Sequence, residues 1–335
     1  MYNILDNIIK IIMLMVSLSV IIIFYTLWER RFIGFIQDRV GPNRLGPYGL
    51  FQPIADTIKL LLKSMIIPNR ANKTLFILGP VTTVVAALSL WAVIPINPNI
   101  VLSDLDVGLL YLLAIQSIGV NAIIIAGWAS NSKYALLGSI RTAAQMISYS
   151  IPMGFAVVGV LMKSGSMNLS KIINAQQGGI NNWFFIPLLP LLFIYWVCAL
   201  AETNRLPFDV AEGESELVAG FHIEYSGMGF ALFFLAEYSN MILTSILTVI
   251  MFFGGWLSPF NHYLLWVPNL CWLFIKAFIF MTIFLWLRAT LPRYRYDQIM
   301  NLCWKILIPI ALIWIIVGIF SDGWLFFSKK SMVII

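Results

Sequence analysis

The sequence predicts an all-α, polytopic membrane helix bundle, and three observations predict it. Of the 335 residues, 60% are hydrophobic and 11% charged, where a soluble domain would carry about 25% charged. The apolar residues fall in runs long enough, or nearly so, to cross about 30 Å of hydrocarbon at ~1.5 Å per residue. The basic residues are segregated to one side of those runs, as the positive-inside rule describes. A single transmembrane domain over 1–335 follows, with almost no soluble part and no nucleic-acid partner expected.

About eight spans are predicted, near 8–28, 75–95, 107–127, 143–162, 184–201, 229–252, 264–287 and 305–327. Lys10 precedes an apolar run with no small-residue cleavage site, so the first reads as a retained span and not a cleaved signal. The fifth is short and holds Pro187 and Pro190, and the eighth is interrupted by Asp322 and Gly323. Taking loops alternately, fifteen of the 21 Lys and Arg fall on one side, from Arg30 to Lys305. Five fall on the other (Lys10, Lys163, Lys171, Lys329, Lys330), and Lys276 lies within a span. Both termini are therefore expected outside, with the first inner loop (29–74) and the fifth loop (202–228) facing cytoplasm or matrix.

In the first inner loop, Ile54, Ile58, Leu61, Leu62 and Met65 recur at helical spacing, with Asp56, Lys59 and Lys63 on another face and Pro53 suiting a first turn. This pattern predicts a short amphipathic helix in the inner interface or against a partner. Just before it, Glu29-Arg30-Arg31 is expected to close the first span, and Gln37-Asp38-Arg39 leads into a tight Gly41-Pro42-Asn43-Arg44 turn. Arginines there either anchor the helix or carry function.

The acids are more informative. Six of the fifteen lie in the loop 202–228: Glu202, Asp209, Glu212, Glu214, Glu216 and Glu224. Inner loops are ordinarily basic, so this one is either a solvated acidic face or a proton-exchanging surface, because clustered carboxylates shift one another's titration. Glu237 and Lys276 fall inside spans. Burying either alone costs at least ~2.5 kcal/mol, so they form a structural ion pair with each other or belong to a proton relay.

Metal chemistry is not expected in this chain. Cys198, Cys271 and Cys303 are far apart in sequence with no C-x-x-C pair, and are expected to be inert buried thiols. The two histidines, His222 and His262, are expected on opposite sides of the membrane, which excludes a shared haem.

Four segments carry a resemblance. WERRFIGFIQDRVGPNRLGPYGLFQPIADTIKLLLK, GWASNSKYALLGSIRTAAQMISYS, AETNRLPFDVAEGESELVAGFHIEYSGMGFALFFLAEYSNM and RATLPRYRYDQIMNLCWK resemble the respiratory complex I membrane subunit called chain 1 in mitochondria, and its bacterial counterpart. The resemblance runs in register over roughly 20–310. It implies a core membrane subunit of proton-translocating NADH:ubiquinone oxidoreductase, which would form much of the ubiquinone-access tunnel and start the acidic path into the membrane arm. Ubiquinone would be the substrate, with FMN and iron–sulfur clusters in partner subunits. Those partners would be the hydrophilic quinone-module subunits and small neighbouring membrane subunits.

By the same resemblance, Glu29, Arg30, Arg39, Asp56, Phe234, Arg288, Arg293 and Arg295 would line the tunnel. Glu202, Asp209, Glu212, Glu214, Glu216, Glu224 and Glu237 would carry proton or charge coupling, and Lys276 is assigned to the same path because it is an ionisable group inside a span. One position departs: the family reads SYE in the fourth span, whereas this chain reads Ser148-Tyr149-Ser150 and then Pro152. Ser150 holds no charge, so the relay is expected to pass there through water or another subunit. Pro152 is expected to free a carbonyl and bend the helix. The isoleucine-rich composition suggests an organelle gene and a mitochondrial inner membrane, with a bacterial cytoplasmic membrane as alternative. An energy-converting hydrogenase subunit, a secondary transporter and a purely structural anchor are the competing readings. No repeated halves support the transporter, and an anchor leaves Glu237, Lys276 and the acidic loop unexplained.

Overall fold

The computed structural model describes residues 2–98, 100–210, 220–259 and 267–330. Among them, seven helices are long and apolar enough to cross a membrane, and no strand occurs beyond one isolated bridge, Asn97 to Ile100. The molecule is an all-α, multi-pass membrane bundle. In chain order the helices are α1 (Tyr2–Ile36), α2 (Gln52–Leu62), α3 (Lys73–Ser89), α4 (Gly108–Ala129), α5 (Lys133–Ser164) and α6 (Leu169–Asn174). They continue with α7 (Leu189–Glu202), α8 (Gly227–Phe252), α9 (Asn269–Thr290), α10 (Tyr296–Leu302) and α11 (Ile308–Lys330), a π-turn at Cys303–Leu307 joining the last two.

Several expected boundaries move. Helix α1 does not close at Glu29-Arg30-Arg31 but runs on to Ile36, because nothing in 29–36 breaks it. It ends where Asp38 takes a left-handed φ of 50° and Arg39 N–H returns to the Gly34 carbonyl at 2.9 Å. Helix α5 likewise starts ten residues before its apolar run, at Lys133. The fifth span is a helix of only 14 residues, ~21 Å at 1.5 Å per residue. Turns at 184–188, holding Pro187, precede it, and Pro190 falls in its first turn.

Helix α2 is the amphipathic element the first loop predicts. Ile54, Ile58, Leu61 and Leu62 point outward and Pro53 sits in its first turn. An exposed apolar face flanked by Lys59 and Lys63 suits the membrane interface.

Helix α8 is the centre of the bundle and packs against α1, α2, α3, α6, α7 and α9. Its C-terminal end is held by two polar side chains. Gln176 donates to the Ile250 carbonyl at 2.9 Å and accepts from Gly254 N–H at 3.0 Å. Lys276 donates to the Phe253, Gly255 and Leu257 carbonyls at 2.8, 3.0 and 2.7 Å, with Trp183 beneath it at 4.1 Å. Carbonyls past a helix end have no intrahelical donors, and an ammonium satisfies them while opposing the helix dipole.

Prolines inside helices organise two of the inter-helix contacts. Pro80 in α3 cannot donate to the Phe76 carbonyl, and Tyr225 OH takes that acceptor at 3.1 Å while its ring stacks on Phe76 at 4.1 Å. Pro152 in α5 frees the Ser148 carbonyl, as expected. Cys303 Sγ, from the π-turn, donates to it at 3.1 Å. Cys303 is thus a buried thiol with a definite structural partner.

Candidate functional site

Consecutive residues of α8 face two different cavities. Phe230, Phe234, Leu235 and Tyr238 recur at helical spacing on one face and line a cavity of about 1060 Å³. Phe233, Ala236, Glu237 and Asn240, on another face, line a cavity of about 50 Å³ between α3, α4, α5 and α7. The helix is the wall between them.

The larger cavity lies between α1, α2 and α8. Its sides are apolar, with Ile22, Ile23, Ile33, Leu60 and Leu61 among them, and charges gather on part of its lining: Glu29, Arg30, Arg39, Asp56 and Arg288. Arg30 Nη1 donates to Asp56 Oδ2 at 2.6 Å, linking α1 to α2, and Gln52 holds the other carboxylate oxygen at 3.1 Å. Both partners of that ion pair are partly solvated, so it fixes geometry more than it stabilises. The volume fits the upper range of small-molecule sites, which bury an apolar body and fix one polar end.

The smaller cavity holds a few water molecules at most, one water needing at least ~10–15 Å³. Glu202 and Glu237 both line it. Glu202 Oε2, Asn204 Oδ1 and Asn240 Oδ1 are buried there without a protein partner. Buried polar atoms so placed are the groups that ordered water satisfies.

A string of charges crosses the wall. Arg288 Nη1 contacts Glu29 Oε1, and Tyr238 OH donates to Glu29 Oε2 at 2.6 Å. Arg205 then stands between the two acids, its Nη1 3.8 Å from Glu29 Oε1 and its Nη2 3.8 Å from Glu237 Oε2. Its guanidinium lies 4.5 Å from the Tyr238 ring centroid, a stacking that suits a planar cation. Burial works against that charge, but Tyr238 and Glu237 more than offset it and raise Arg205 above its ordinary value. The string ends at His222, whose Nε2 is 3.8 Å from Glu237 Oε1.

Of the residues singled out in the sequence, Glu29, Arg30, Arg39, Asp56, Phe234 and Arg288 come together around the larger cavity. Arg293 and Arg295 are not among its lining residues: both follow the end of α9, and Arg295 N–H bonds Gln298 at the start of α10. Glu202 and Glu237 share the smaller cavity. Asp209 and Glu224 are half-buried at the two ends of the described part of the acidic loop, whereas Glu212, Glu214, Glu216 and also His262 lie outside the described residues.

Lys276 is a correction. It does not pair with Glu237, which is sixteen residues, or ~24 Å of helix, from the Phe253 carbonyl that Lys276 holds. Its ammonium belongs to the C-terminal end of α8. Ser150 is exposed on α5 and bonds the Ile147 carbonyl at 2.8 Å. Position 150 therefore faces away from both cavities, toward lipid or a neighbouring chain.

Sequence reasoning missed Arg205, Tyr238 and His222. The available signal was Arg205 itself, an isolated base within an acidic loop.

Residues 9–319 match the model of the family described as NADH dehydrogenase. The chain belongs to that family. Within NADH dehydrogenase it is the complex I membrane subunit of the chain 1 type, so its working state is an assembly with other complex I subunits. Among the described residues of this subunit, no three His, Cys, Asp or Glu side chains cluster to hold a metal.

Proposed function

We propose that the larger cavity is where a membrane quinone enters this subunit, and that the string through Arg205 starts the path coupling quinone chemistry to proton translocation. The observation that carries the reading is the placement of one buried guanidinium at 3.8 Å from an acid of each cavity. The apolar walls suit an isoprenoid tail, and Arg30, Asp56 and Arg288 suit a polar quinone head passing inward from the interface. The outward apolar face of helix α2 supports a cavity rim at the depth where such a molecule partitions.

Quinone reduction takes up two electrons and two protons to give the quinol. The electrons would come from flavin and iron–sulfur centres in partner subunits. This chain's own residues would orient the head group and adjust charge around it. Charge developing near Glu29 and Arg288 acts through low-dielectric surroundings on Arg205, and so on Glu237 and Glu202 beyond it. The half-buried Asp209 and Glu224, with the remaining acids of the loop, would extend that path toward the partner subunits. A mitochondrial inner membrane is the proposed location, on the grounds of the isoleucine-rich composition.

Asp56→Ala tests the reading. Removing the carboxylate frees Arg30 at the cavity rim, and quinone-dependent turnover is expected to fall by about tenfold, equivalent to ~1.4 kcal/mol of barrier. NADH oxidation by an artificial acceptor at the flavin should persist. Unchanged quinone turnover would contradict the assignment, and equal loss of both activities would point to failed assembly.

A further inference from the structure

Glu237 has two cationic candidates and hydrogen-bonds neither. Arg205 stands 3.8 Å away on one side and His222 3.8 Å away on the other. Arg205 is also held by Glu29, while Glu29 has Arg288 and Tyr238 OH of its own. Charge in the string therefore balances in two ways. Either Arg205 serves Glu237 and the imidazole is neutral, or Arg205 serves Glu29 and a protonated imidazole serves Glu237.

His222 stands where the second state needs a cation, 3.8 Å from Glu237. It is 4% exposed and neither ring nitrogen has a hydrogen-bond partner. Phe221 lies 3.8 Å from its ring centroid and Phe233 and Phe234 stand at 5.1 and 6.1 Å, so the wall around it is otherwise apolar. A buried imidazole with unmatched nitrogens is costly unless a polar role compensates. The other charged and titratable groups around it are few. Glu202 shares the small cavity with Glu237. Glu224 follows in the chain, and Tyr225 is committed to the Phe76 and Ala126 carbonyls. From α5, Gly138 packs on Gly220, and Arg141 is turned to the Tyr296 ring.

Resting on the quinone reading, we propose that Arg205 and His222 are alternating counter-ions of Glu237, with His222 the group that takes up the proton. Negative charge developing in the larger cavity draws Arg205 toward Glu29. Glu237 then loses its guanidinium, and a proton from hydronium in the small cavity passes by way of Glu237, which lines that cavity, to an imidazole nitrogen and restores balance. When the negative charge is neutralised, Arg205 returns and the proton leaves by the same cavity. One O–H bond of hydronium breaks as one N–H bond forms, leaving water, and no oxidation state changes. His222 is a positioning and proton-holding residue that acts on the quinone site through Arg205.

His222→Asn keeps a polar amide but cannot titrate. In the intact reconstituted complex, quinone-dependent turnover is expected to fall at least about fivefold, the lower end of site-to-site coupling. Its pH dependence should flatten, while the artificial-acceptor activity is unchanged. A merely structural histidine would lower turnover at every pH without changing the profile, and that result overturns the proposal, as does a wild-type profile. If the Asn variant does not assemble, His222→Gln is read in the same way. If neither assembles, Glu237→Gln must alter the same pH limb, and an unaltered limb overturns the proposal. Asp56→Ala separates the readings: if it leaves quinone turnover intact the quinone site is wrong, whereas a normal His222 profile beside a defective Asp56→Ala removes the counter-ion exchange alone.

Discussion

Arg205→Met is expected to prevent stable assembly. The methionine fills much of the volume but removes the one cation shared by Glu29 and Glu237, and His222 can replace it beside Glu237 only by burying a charged imidazole, since Arg288 and Tyr238 serve Glu29 and do not reach Glu237. Stranding one member of a buried charge pair costs about 3–5 kcal/mol, a large share of any domain's net stability. The loss should be read as depleted intact complex on native gels and a lowered thermal midpoint. Adding Glu237→Gln should restore much of the assembly, because the stranded charge is gone. Adding Glu29→Gln should restore little. Arg205→Lys keeps the charge but cannot span two acids, so it should assemble and turn over quinone slowly. Normal assembly of Arg205→Met would show that the guanidinium is not the shared counter-ion.

The second large effect separates stability from coupling. Lys276→Met leaves three carbonyls at the C-terminal end of α8 without their donor and should cost about 2–3 kcal/mol. The complex that survives should turn over quinone at close to the normal rate. Glu237→Gln should do the reverse, lowering turnover and proton translocation with assembly largely intact. The double variant should show both defects added, as distant sites do. Rescue of either defect by the other substitution would mean that the two residues are partners after all.

That pair shows where sequence reasoning reached its limit. Hydropathy and charge identified Glu237 and Lys276 as intramembrane ions needing partners, and both have them. The partners differ, because Lys276 satisfies backbone carbonyls that no side-chain pattern displays, and Arg205 arrives through a turn after α7. The bundle itself was legible because lipid demands long apolar runs, and α2 because its apolar stripe has a helical period. The ends of α1 and α5 were not legible from hydropathy, since Glu29 to Arg31 and Lys133 to Thr142 are polar or mixed yet helical. The resemblance supplied Glu29, Arg30 and Asp56 as neighbours of one cavity. It gave no account of His222, whose meaning depends on a contact across the fold. Ser150 was legible as a departure, and its outward placement explains why this chain's own charge string does not pass through it.

The central claim is that a quinone occupies the cavity between α1, α2 and α8. Photoaffinity labelling of the intact complex with an azido-quinone, followed by peptide mapping of this subunit, tests it most directly. Labelling is expected within residues 19–61 and 228–238, suppressed by excess unmodified quinone and reduced in Asp56→Ala. Competable label confined to other parts of this subunit, or to partner subunits alone, would contradict it.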